Sequence, residues 1–355
     1  MRRFQVVLVF LMVVLGGQSV MAATYYVGDC PKATYGSIQA AVNGVAAGST
    51  LNICPGTYPE QITISKALTL QAVSYNNSSQ AIITVPSGGL TTTTSITPLG
   101  TIAAQVEVTA GPVNITGITV DGTALGSNCP SVDMVGIFYN SGSSGALSDS
   151  QIVNQDCNSI PIIGIGILAE DGPGASKSVT IENNSIYSAG LRGDAVGVWV
   201  DSNQAPSTLT ALIKGNLTTG EIVVGFNVIG SVSGNTIAFS NVGIVSVSSS
   251  MSITGNTVVQ AFQYGIDVQA PGVVSSNHIL GTTEYGIYLE TEGATIENNI
   301  ITNTGLVGIE FNCNTATVKG NTINGAPTGL DMVPLGFTGT NKFYSVPAVS
   351  TRGCE

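Results

Sequence analysis

The sequence predicts an all-β fold, a single-stranded parallel β-helix whose coils of about 21–22 residues stack into a solenoid, and three observations carry that prediction. First, Asn184, Asn216, Asn235, Asn256, Asn277, Asn299 and Asn321 each precede a short apolar pair; after a first gap of 32 residues they recur at spacings of 19, 21, 21, 22 and 22. Second, the residues around each asparagine alternate apolar and polar, as in VTIENNSI, MSITGNTV and ATVKGNTI, the pattern of short strands with one buried face. Third, a second strand follows each of them, written G-V-W-V, G-F-N-V, G-I-V-S, G-I-D-V, G-I-Y-L, G-I-E-F and G-L-D-M.

Each unit is too short to bury a core alone and has no helix to cover a sheet. Stacking coils solves both problems, because equivalent residues then lie about 4.8 Å apart and each backbone pairs with the coils above and below. Ile and Val stack inside, and an asparagine at a turn can bond its neighbour in the next coil as a ladder. The asparagines are therefore read as scaffold, not as catalytic groups.

Taken in order, residues 1–22 read as a secretory signal peptide: Met1-Arg2-Arg3, then the apolar run FQVVLVFLMVVLGG, then SVMAAT with a cut after Ala22. Residues 23–72 are expected to form an N-terminal cap and the first coils. In this segment Ser37 suits a helix N-cap, and Ile38, Ala41, Val42 and Val45 share one helix face that would cover the open sheet edge. Residues 73–334 form the β-helix proper, and 335–355 a less regular tail. Six cysteines on a chain bound for an oxidising compartment predict disulfides, and closeness in sequence favours Cys30 with Cys54, Cys129 with Cys157, and Cys313 with Cys354. No pair has the C-x-x-C spacing of a metal site.

Charge narrows the partners. Losing Arg2 and Arg3 leaves 8 basic against 21 acidic side chains, a formal charge of −13, so nucleic acid and anionic membranes are poor partners. A secreted or periplasmic location follows from the leader, and no second long apolar run would hold the mature chain in a membrane.

The stretch TYGSIQAAVNGVAAGSTLNICPGTYPEQITISKALTLQA, Thr34 to Ala72, resembles the opening of pectin methylesterases and of the wider pectin-lyase-like superfamily. The resemblance implies a right-handed parallel β-helix and a polysaccharide as the partner. The superfamily's catalytic motifs do not follow it. Gln155-Asp156 is the nearest match to the esterase Gln-Asp motif, but Cys157-Asn158-Ser159 continues it and no Arg-Pro-Trp occurs, so both residues read as turn. A lyase of the superfamily would place an Arg or Lys base beside Ca²⁺-binding carboxylates, and only Arg192, in LRGDAVGVWVD, stands near an acidic and aromatic stretch. His278, in SSNHILG, sits among ladder elements and reads as a turn residue.

The second strand offers a different constellation. Alternation turns one residue of each outward, giving the column Phe138, Leu168, Trp199, Asn227, Val245, Asp267, Tyr288, Glu310 and Asp331. Two positions later runs a parallel column that includes Asn140, Glu170, Asp201, Gln269, Glu290 and Asn312. Aromatic rings stack on sugars, and carboxylates bond hydroxyls, hold Ca²⁺ or act as acid and base. Glu310 and Asp331 should lie about one coil apart, near 5 Å, and Asp267 and Glu310 about two, near 10 Å, which suits retaining or inverting glycoside hydrolysis. The expected catalytic residues are Asp267, Glu310 and Asp331; the expected sugar contacts are Phe138, Trp199, Asp201, Tyr288, Glu290 and Asn312. Ca²⁺ is a candidate cofactor, and a polysaccharide or cell-envelope glycan the expected partner. The rival reading is a non-catalytic envelope or surface protein, since this fold hosts both and acidic residues also keep an outward face soluble.

Overall fold

The computed structural model describes residues 21–123, 131–155, 163–172, 174, 176–187, 195–202, 207–350 and 353–354. Among these, the strands fall into three long sheets of 13, 12 and 13 members, visited in turn by each coil. Ser250–Thr254 lies in the first sheet, Thr257–Val259 in the second and Tyr264–Val268 in the third, before Val273–Ser275 returns to pair with Ser250–Thr254. Among the described residues strand pairing is parallel, apart from Thr93–Thr94 against Thr101–Val108 and a local antiparallel bridge between Tyr75 and Ser78. The chain is a right-handed parallel β-helix.

The interior is built from register. In the third sheet Val106, Ile137, Ile167, Val198, Ile222, Ile244, Ile266, Ile287, Ile309 and Leu330 stack coil on coil, all buried. Each coil covers the apolar surface of the next, so no single unit needs a core of its own. The glycine before the stacked residue is also explained. A Cβ on Gly265 would sit 2.5 Å from both the Gly286 carbonyl oxygen and an Ile279 methyl, and Gly286 is equally confined by Gly308 and Ile301.

The asparagines form the ladder the spacing implies. Each Oδ1 accepts both the backbone N–H and the amide N–H of the asparagine one coil earlier, from Asn184 on Asn216 through Asn299 on Asn321. Asn341 adds a rung below Asn321. The residue before each rung is left-handed: Asn183, Gly215, Gly234, Gly255, Ser276, Asn298 and Gly320 have φ between 55° and 70°. That requirement favours Gly or Asn there, with Ser276 the exception, and writes the recurrent G-N and N-N pairs.

One strand assignment is corrected. Gly225-Phe226-Asn227-Val228 is not the second strand of its coil; Glu221–Val224 is, and Val223 takes the place expected for Asn227. In this coil Glu221 and Ile222 pair with Val196 and Val198, so the intervening glycine has no counterpart and the Gly frame slides onto the following turn. The region beyond Pro334 is also more regular than a tail, because Lys342–Tyr344 pairs with Thr322–Asn324 and Ala348–Ser350 with Thr328–Asp331.

At the other end, the helix Ile38–Gly44 buries Ile38, Ala41 and Val42. Ser37 Oγ accepts the Ala40 N–H, and the Glu60 carboxylate accepts the N–H groups of Ile38 and Gln39, each at 2.8 Å. Two unpaired donors of the first turn thereby gain a side-chain acceptor. Cys30–Cys54 and Cys313–Cys354 are bonded, and Cys129 and Cys157 lie outside the described residues.

Candidate functional site on the third sheet

Register assembles the outward column residue by residue. Phe138 pairs with Leu168, then follow Trp199, Val223, Val245, Asp267, Tyr288, Glu310 and Asp331. The two halves of this column differ in what covers them.

In the upper half, Phe138 and Leu168 are fully buried in a second apolar cluster with Ile102, Ala104, Val135, Ile165 and Val196, flanked by Leu99 and Trp199. The excursion between Thr84 and Thr101 folds over this end of the face, and Val85 and Leu90 pack with Ala103 and Met134 beside it. Phe138 therefore presents no ring face to a sugar. Glu170, 1% exposed, ties the excursion down by accepting Ser95 Oγ at 2.7 Å and the Ile96 N–H at 3.0 Å on one oxygen. Its other oxygen has no hydrogen-bond partner among the described residues. Burial pushes this carboxyl up to about 7 against the lowering effect of those bonds. Asp201, in register with Glu170, accepts the Phe226 N–H at 3.1 Å and is also raised by burial.

A stability test follows from Glu170. Its folded-state value stands above the ordinary 4.5, so the native state holds the extra proton between the two. The stabilisation is complete below about pH 4.5 and is lost as pH rises through about 7, a loss of roughly 3 kcal/mol for a shift of this size. Glu170→Gln is expected to flatten the pH dependence of urea midpoints across that window; an unchanged slope would place the proton elsewhere.

The lower half gathers ionisable and aromatic side chains. Asp267, 5% exposed, accepts Gln269 Nε2 at 2.8 Å on Oδ2, while Oδ1 is buried without a hydrogen-bond partner among the described residues. Burial pushes its carboxyl up to about 6; the Gln269 bond opposes this and the Glu290 charge reinforces it. Tyr288, its neighbour in register, stacks on Tyr264 at 4.8 Å and on Tyr285 at 5.3 Å between ring centroids, and Tyr264 and Tyr285 stack at 5.5 Å. All three rings are half-buried, and burial raises the Tyr264 and Tyr288 hydroxyls, with nearby carboxylates adding to it. Glu290 and Asn312 stand exposed beside this group. Glu310 and Asp331 are in register on adjacent coils but only 4% and 2% exposed.

The structure thus brings Asp267, Tyr288, Glu290, Glu310, Asp331 and Asn312 onto one face, with Trp199 and Asp201 farther up it. Sequence reasoning missed Tyr264 and Tyr285. Their signal was the Tyr-Gly-Ile repeated in QYGIDV and EYGIYL, where the residue before the glycine pairs in register and shares the outer face. His278 lies exposed in the second sheet, away from this face. Gln155 is buried, its amide bonded to Val153 O and Gln105 Oε1, as befits a turn residue. Asp156 and Arg192 lie outside the described residues. Among the described residues, no group of three or more His, Cys, Asp or Glu converges as a metal site.

Fold and register together define a right-handed parallel β-helix protein. A family model described as a right handed beta helix region matches residues 243–337. No curated protein matches the chain. The alginate lyase from Paenibacillus sp. str. FPU-7 superposes with a TM-score of 0.55 at 15% identity, covering 90% of this chain and 98% of that one. DFA-IIIase from Arthrobacter chlorophenolicus A6 gives 0.46 at 16% identity over 93% and 87% of the two chains. Pectin methylesterase PemA from Erwinia chrysanthemi gives 0.35 at 11% over 78% and 92%. At these identities the likeness is one of fold.

Proposed function

We propose that the protein binds a polysaccharide along the outer face of the third sheet and acts on it by acid–base chemistry at Asp267. The observation that carries this reading is Asp267 itself: a desolvated carboxyl, half-protonated near pH 6, with one unsatisfied oxygen beside a stack of three tyrosines. A group titrating near the working pH can give up a proton and take it back, which a carboxyl at its ordinary value does poorly. Tyr264, Tyr285 and Tyr288 supply flat amphipathic surface for sugar rings, with Trp199 extending it and Glu290 and Asn312 supplying hydroxyl contacts; Asp201, expected as a further contact, is only 3% exposed and accepts the Phe226 N–H instead. Glu310, two coils from Asp267 at about 10 Å, is the partner carboxylate; Asp331, about 5 Å from Glu310 but three coils from Asp267, could pair only with Glu310. The alginate lyase that shares the fold acts, by its name, on a polysaccharide, which supports this substrate class. The two disulfides support action outside the cytoplasm after removal of residues 1–22, with residues 23–72 as the N-terminal cap and first coils of the solenoid.

One observation favours the non-catalytic alternative. Glu310 and Asp331 are as buried as core residues, so the face would bind without turning over if they serve only the scaffold.

The test is a panel of neutral, basic and acidic polysaccharides, followed for binding, reducing ends and unsaturated products, with Ca²⁺ and with chelator. Tyr288→Ala is expected to weaken binding about tenfold, the scale of one lost stacking contact. No turnover on any glycan, with binding unchanged in Asp267→Asn, would sink the catalytic half of the proposal.

A further inference from the structure

We infer that the ligand of the tyrosine face is a glycan bearing protonated amines, an amino-sugar polymer with free amino groups, and not a polyuronate. The inference rests on the glycan-binding reading above and adds the charge of the ligand.

Charge on this solenoid is sorted by sheet. The strands of the third sheet carry eight Asp or Glu and no Lys, Arg or His. The described basic residues lie elsewhere: Lys177, Lys214 and Lys319 in the first sheet, His278 and Lys342 in the second, Lys32 and Lys66 near the N-terminal helix. Arg192 and Arg352 lie outside the described residues. Around the tyrosine stack the acids are densest, with Asp267, Glu310 and Asp331 in the strands and Glu284 and Glu290 immediately beside them.

A ligand on the lower half of this face meets acidic side chains in successive coils, with Glu290 exposed and Glu284 half-buried beside the tyrosines. A polyuronate brings a like charge with each sugar, and like charges a few ångströms apart repel even in high dielectric. A protonated amine reverses the sign of each of those interactions. It also supplies what the site lacks: the buried Oδ1 of Asp267 has no donor among the described residues, and an ammonium group offers three. Tyrosine rings add to the preference, because a cation within about 6 Å of a ring is attracted by its quadrupole. Acidity for solubility alone would not leave the described strands of one sheet without a cation while placing lysines on the other two.

The experiment compares three short oligosaccharides of equal length at about pH 6, near the Asp267 midpoint: a glucosamine oligomer with free amines, its N-acetylated counterpart and a galacturonate oligomer. The free-amine oligomer is expected to bind about tenfold tighter than the acetylated one, the sum of two or so weak exposed ion pairs, and the uronate not measurably. The preference should shrink as salt is added. Glu290→Gln is expected to reduce it, while Glu297→Gln, in the first sheet, leaves it intact. Equal binding of the amine and acetylated oligomers, binding of the uronate, or an equal loss in Glu297→Gln overturns the inference, the last outcome indicating diffuse attraction of a polycation to an acidic protein. If the acetylated oligomer binds and Tyr288→Ala abolishes it, the glycan reading survives that failure. If no oligomer binds, both fail.

Discussion

Asn256→Ala is expected to lower the unfolding free energy by on the order of 4 kcal/mol, more than truncating most interior aliphatic residues of the same coil. The Asn256 amide holds five groups at once. Its Oδ1 accepts the Asn235 backbone N–H and the Asn235 amide, each at 2.9 Å; its Nδ2 donates to Val232 O and to Asn277 Oδ1 at 2.9 Å, and to Thr254 O at 3.3 Å. Alanine leaves those donors and acceptors in a seam that water does not reach, since the asparagines from Asn184 to Asn321 are all buried. Unsatisfied buried groups lose their hydration without recompense, which is why the loss exceeds the net worth of the bonds themselves. Asn341, whose side chain sits at the half-buried end of the ladder, should be far more tolerant. Urea unfolding of the two alanine variants measures the difference, and equal midpoints would show that the ladder contributes geometry without stability.

Asp267→Asn is expected to reduce turnover on the true substrate by about 10²–10⁴-fold, the range for loss of a general acid or base. Direction in pH gives a sharper test. The Asp267 carboxyl stands at about 6 in the folded chain, above its ordinary 3.8, so the protonated form persists into mildly acidic solution and is lost as pH rises through about 6. A reaction that draws on its proton should therefore show a basic limb near that pH. Glu290→Gln removes a nearby negative charge that helps hold the proton, and the limb of kcat should move to lower pH, the lost sugar contact showing instead in KM. A limb that stays in place in Glu290→Gln would assign the titration to another group.

Much of the scaffold was legible because a solenoid repeats its physics. The left-handed seat before each ladder asparagine and the crowded glycine before each interior isoleucine recur every coil, so they write the same letters each time. Where a coil departs from the repeat, legibility failed: the coil at Glu221–Val224 lacks the intervening glycine, and the reading frame moved to Gly225. Asn341 escaped notice because a serine-valine-proline turn, not a Gly-Ile strand, follows its short apolar pair. The candidate site was legible in position but not in exposure. Alternation says which way Phe138 and Glu170 point; it does not say that residues 85–100 fold back over them, a contact across 38 or more residues of sequence. Glu60 escaped for the same reason, reaching the helix N-terminus from the following coil.

The register also makes the solenoid a ruler with fixed divisions. Every residue on the third face belongs to a column with one member per coil, so the gap between two side chains can change only in whole steps of about 4.8 Å. Asp267 and Glu310 stand two divisions apart because a single coil, the one bearing Tyr288, separates them. Excising that coil would bring the two carboxyls to one division, and duplicating it would set them at three, with the ladder and the stacked interior rejoined across the cut. A fold of this kind can alter the spacing of its chemistry by counting coils, leaving the residues that perform it untouched.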